Sequence, residues 1–104
     1  MLVSVLVRRA SQCGGAAVVV ARGDANAGSI LLLCLERGQF VQYLERALDG
    51  DGHYRWQAVG PADDTTPESH AWLERRRARD PDMWLVELDV AQPQRFAAET
   101  SGDG

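Results

Sequence analysis

Six consecutive apolar residues, Ile30 to Leu35 (ILLLCL), constrain this chain more than any other stretch. Read as a strand, they place Ile30, Leu32 and Cys34 on one face and Leu31, Leu33 and Leu35 on the other. Both faces are apolar, so both need cover, and the strand must lie in the middle of a sheet or between two layers. A chain of 104 residues supplies one domain with a modest core around such a strand. No stretch approaches the ~20 apolar residues of a membrane span. The opening MLVSVLVRR has too short an apolar run for a secretion signal, and its charge follows the run. Cys13 and Cys34 are the only thiols, which fits a reducing cytoplasm better than a disulfide framework.

The flanking segments read in turn. Leu2 to Cys13 carries both a valine alternation and a helical spacing of apolar residues; RRASQCGG holds nothing strand-like and ends on two glycines, which favours a helix with a glycine C-cap. Ala16–Ala21 is a short buried strand, ERGQ at 36–39 a turn, and Phe40–Arg46 a third strand. DGDG at 49–52 is a strong turn signal, and His53–Val59 alternates as a half-exposed strand. Thr65 and Glu68 have capping-box spacing with Pro67 in the first turn, so a helix is predicted from there to the residues before Pro81. Met83–Asp89 (MWLVELD) is a last strand. The polar residues 93–104 are expected to fray. The expectation is therefore an α+β domain over residues 1–92, of order αββββαβ. Its sheet is mainly antiparallel, of four to five strands, with two helices packed on it.

The formal charge is −4, and the acidity sits in the second half of the chain. General nucleic-acid binding is disfavoured, since phosphate contacts need concentrated positive charge. The run ERRRARD (74–80) does not alter this: its arginines spread around the helix and have acids at pairing distance, Glu74 for Arg77 and Asp80 for Arg76. All eleven basic residues are arginine, as a GC-rich bacterial genome would favour. No amine is present for a Schiff base or a phosphate-loop contact, and every cation is a planar fork suited to carboxylates.

VVVARGDANAGSI (18–30) admits three readings. GDANAGS matches a phosphate-binding loop without its lysine, but an apolar segment follows where a helix is required. Arg22-Gly23-Asp24 spells an adhesion tripeptide that would need an extracellular setting. A strand-to-strand connection explains more: glycines at both ends, and Asp24 and Asn26 to hydrogen-bond nearby backbone. The histidines and cysteines at 13, 34, 53 and 70 lack metal-ligand spacing, so neither a metal nor a cofactor is expected. In RDPDMWLVELD (79–89), Trp84 and Val86 share a face opposite Met83, Leu85 and Glu87, and Trp84 reads first as core.

VRRASQCGGAAVVVARGDANAGSILL (7–32), YRW (54–56) and RDPDMWLVELD together resemble the uncharacterised alphaproteobacterial family DUF1491, with R-G-D-A-x-A-G and D-P-D-x-W-x-V-E as its blocks. The blocks run in order over most of the chain; the stretch between Phe40 and Trp56 does not align. The resemblance implies a bacterial cytoplasmic protein and brings no activity with it. Two readings of function follow. One is a non-catalytic domain that binds a protein partner or self-associates. The other is a small-molecule binder or enzyme with a site between the Arg22/Asp24 turn and the Asp80–Glu87 junction, its rim formed by Arg22, Asp24, Asp80, Asp82, Trp84 and Glu87.

Overall fold

The computed structural model describes residues 2–25 and 29–100. Helix α1 (Leu2–Gln12) leads into strands β1 (Ala16–Ala21), β2 (Ile30–Glu36), β3 (Gln39–Leu48) and β4 (Tyr54–Val59). Helix α2 (Pro67–Arg79), strand β5 (Trp84–Asp89) and helix α3 (Pro93–Thr100) complete the chain. The strands form one sheet in the order β1-β5-β2-β3-β4. Strands β2, β3 and β4 are an antiparallel meander, but β5 inserts between β1 and β2, antiparallel to the first and parallel to the second. The sheet is therefore mixed, and it carries three helices where two were expected.

ILLLCL lies inside the sheet, flanked by β5 and β3. On one face Ile30, Leu32 and Cys34 join Trp84, Val86, Leu88 and Leu44 beneath Val3, Leu6 and Ala10 of α1 and Phe96 and Ala97 of α3. On the other, Leu31, Tyr43, Met83 and Leu85 pack with Trp72 and Leu73 of α2. The alternation of β5 is as read, with Trp84 and Val86 in one cluster and Met83 and Leu85 in the other.

The ends of α1 and α2 show how local chemistry sets these elements. Gly14 adopts φ +83. The Gly15 N–H donates to Ala10 O at 2.9 Å and the Gly14 N–H to Ser11 O at 3.3 Å, a Schellman closure that turns the chain into β1. Helix α2 starts one residue later than the predicted box: Thr66 is the cap and accepts from the Ser69 N–H, while the Ser69 hydroxyl donates back to Thr66 O. Thr65 is engaged instead with the Asp63 carboxylate. Arg76 pairs with Glu45 on β3 and so pins the helix to the sheet; it does not form the expected intrahelical pair with Asp80.

Residues 93–100, read as part of a polar tail, form a helix. Pro93 opens α3, Phe96 and Ala97 are buried, and the Thr100 hydroxyl donates to Phe96 O at 2.8 Å. Arg9 of α1 donates to Thr100 Oγ1 at 3.0 Å and lies 5.6 Å over the Phe96 ring. The rest of the predicted tail, 101–104, lies outside the described residues. Among those described, no helix is long and apolar enough to cross a membrane.

Candidate functional site

Strand order dictates the site. Because β5 separates β1 from β2, the two ends of the connection, Ala21 and Ile30, lie on either side of the point where β5 begins. That connection is the R-G-D block, and the entry to β5 is the D-P-D-x-W block. The two are bonded to each other. The Asp24 N–H donates to Asp82 O at 2.9 Å, and the Trp84 N–H donates to Ser29 O at 2.8 Å. The Trp84 indole N–H donates to Asp24 O at 3.0 Å, and the Ser29 hydroxyl donates to an Asp80 carboxylate oxygen at 2.6 Å. Gly23 lies directly against this strand entry: a Cβ there would collide with the Asp82 carbonyl and would stand 2.7 Å from Trp84 Cδ1. The glycine is needed for close approach and not for a positive φ. Gly28, the glycine at the other end of the connection, lies outside the described residues. A strand and not a helix follows the connection, which removes the phosphate-loop reading.

Of the six rim residues, the structure brings five to this junction. Asp24 and Asp80 are occupied by the bonds above, and Asp82 is exposed with its carbonyl engaged. Trp84 is only 6% exposed, a core residue whose polar tip is satisfied by the loop. Arg22 lies outside, its guanidinium 5.9 Å from the centre of the Trp84 ring. Glu87 does not join them; it sits further along β5, in register with Val18 and Leu33 on the face opposite Trp84.

Where Arg22 meets α1 there is an open groove of about 550 Å³. Val3, Val7 and Val19 make its apolar wall, with Trp84 at its base and Ser4, Arg8 and Arg22 at its rim. Sequence reading missed Arg8. It is 14 positions from Arg22, and only the reversal of the chain between α1 and β1 brings it there. A smaller hollow of about 390 Å³ on the far side of Arg22 holds Arg77, Asp80 and Met83.

Two other groupings are explained by local structure. The ligating atoms of Asp49, Asp51 and His53 lie within 4.8 Å of one another. One Asp49 oxygen accepts the Asp51 and His53 N–H groups, and the other accepts from Arg55 at 2.7 Å. These bonds, the His53 N–H first, hold the Asp49 carboxyl below its usual range and close the DGDG turn. The Cys34 thiol is pushed up to about 12 by burial, so it is a packing residue and not a nucleophile.

The fold and the junction together define a small α+β domain on a mixed sheet, in which Asp24 and Ser29, flanking an interior strand, are bonded to its entry. The chain belongs to the family described as protein of unknown function (DUF1491), whose model matches residues 1–98. It is similar to two solved DUF1491 family structures from Caulobacter crescentus CB15. One is an NMR structure at 34% identity, with a TM-score of 0.72 over 91% of this chain and 86% of that one. The other is a crystal structure, also at 34% identity, with a TM-score of 0.74 over 90% and 88%. A solution structure of a protein from A. tumefaciens is similar at 28% identity, with a TM-score of 0.67 over 88% and 84%. No curated protein matches the chain.

Proposed function

We propose that the chain is a cytoplasmic, non-catalytic interaction domain that self-associates through the free edge of β1. The observation that carries this reading is the composition of that edge. Ala16–Ala21 (AAVVVA) contains no charge and no proline, and among the described residues it pairs on one side only, with β5. Val18 and Val20 are 55% and 50% exposed. A strand of this kind presents unpaired N–H and C=O groups beside apolar side chains, which is the template for strand addition. A register shift between Val19 and Ala21 bends the far end and leaves Ala16–Val19 as the regular pairing segment.

The occupant that fits is a second copy, antiparallel about a two-fold axis beside Val18. Such pairing keeps each face of the sheet continuous across the axis. It also buries no charge, because both strands lack one; a charged strand would place an unpaired group against Val18. The test is light scattering after size exclusion on the native chain and on Val18→Lys. The native chain is expected at twice its 11.4 kDa mass and the variant at the single mass. A native chain that stays at the single mass at high concentration, or a variant that still pairs, contradicts the proposal. The small-molecule reading is favoured by a separate observation, the shared groove of Arg22 and Trp84.

A further inference from the structure

We infer that the groove between α1 and the end of β1 binds a small organic acid, a carboxylate carried on an apolar or aromatic body. Four features converge there. Arg8 and Arg22 both reach its rim, and among the described residues neither has a carboxylate partner, although the chain is net acidic at −4. An anion placed between two guanidinium groups that lack a carboxylate partner can accept from both, and the planar fork suits a carboxylate in particular. Beneath them the wall is apolar, from Val3, Val7 and Val19. The Trp84 indole N–H is already given to Asp24 O, so the small part of this residue that borders the groove is ring and not polar tip, and hydrogen bonds hold that ring in place. The volume of about 550 Å³ lies within the range of small-molecule sites.

The distribution of polar groups sets the ligand class. Donors line one rim and, among the described residues, no acidic side chain borders the groove, so the described lining offers a cation no partner. A bare inorganic anion would leave the Val7 and Val19 surface uncovered, whereas an apolar body buries it. The inference goes beyond strand pairing and does not rest on it. Val18, which tests the pairing, is in register with Glu87 on the opposite face of the sheet from Val19 and Trp84.

The experiment is calorimetric titration with 1-naphthoate and its neutral isostere 1-naphthamide, alongside NMR of the three tryptophan indole N–H signals. It uses the native chain and the variants Arg8→Gln, Arg22→Gln, Val18→Lys and, as a charge-matched control on α2, Arg75→Gln. Naphthoate is expected to bind and to move the Trp84 indole signal, with the amide weaker by about tenfold or more. Arg8→Gln and Arg22→Gln each lose about tenfold in affinity, while Arg75→Gln and Val18→Lys stay within about twofold. Absence of naphthoate binding, equal binding of the amide, or an equal loss in Arg75→Gln overturns the inference. So does loss of binding in Val18→Lys, since the site is assigned to a single copy.

Discussion

The two edges of the sheet solve the same problem in opposite ways. Strand β4 is guarded: Tyr54, Arg55 and Gln57 are exposed along it, Arg55 is held by Asp49, and the Arg46 guanidinium sits 3.9 Å from the centre of the Tyr54 ring. Strand β1 carries no such guard, only alanine and valine. Charged edge side chains are a common device against edge-to-edge pairing, and their presence on one edge makes their absence on the other informative. The edges also differ in how they are anchored. The end of β1 is tied to the β5 entry by the Gly23–Asp24 contact, whereas β4 is approached through an exposed turn closed by Asp49.

The contrast can be broken most strongly at Gly23. Gly23→Ala puts a methyl group into the Asp82 carbonyl and should destabilise the fold by about 3 kcal/mol, read as a shift in the denaturant midpoint. Removing one bond of the same anchor costs less. Trp84→Phe leaves Asp24 O without its indole donor, and Ser29→Ala leaves the Asp80 carboxylate without its hydroxyl; each should cost about 1–2 kcal/mol in the same measurement. Asp49→Ala at the other edge should cost less than either, because its bonds are exposed. Arg55→Val tests the guard itself: the unprotected β4 edge should yield species larger than those the native chain forms in size exclusion, with stability changed by less than about 0.5 kcal/mol.

A pH prediction separates the core from these edges. Burial raises the Cys34 pKa to about 12 from 9.0, so the unfolded chain releases this proton at lower pH than the folded one does. The stability associated with the protonated thiol is complete below pH 9.0 and is lost as pH climbs toward about 12. Cys34→Ala should therefore show a shallower alkaline loss of denaturation midpoint than the native chain. At neutral pH a thiol reagent should modify exposed Cys13 and spare Cys34 until the chain unfolds.

Most single elements were legible because they are encoded by neighbours. The two-faced apolar pattern of 30–35 demanded an interior strand, Gly14 and Gly15 ended the first helix, and Pro67 opened the second. Strand order was not, since alternation says which way side chains face and not which strand lies alongside. One clue existed: MWLVELD is nearly as apolar on both faces as ILLLCL, and two such runs fit an adjacent, parallel, doubly covered pair. The last helix was hidden by its polar composition. Its inward set is small, Pro93, Phe96, Ala97 and Thr100, although Pro93 at the start was a usable signal. The junction was half legible. Its two blocks stood out as distinctive, but their mutual bonding, the role of Gly23 and the arrival of Arg8 depend on topology that no local spacing expresses.

Amide hydrogen exchange followed against protein concentration tests the edge asymmetry most directly. Amides of Ala16–Val20 that point away from β5 should become more protected as concentration rises, while those of Tyr54–Val59 that point away from β3 keep their rates. Equal behaviour of the two edges, or protection that ignores concentration, would contradict the account.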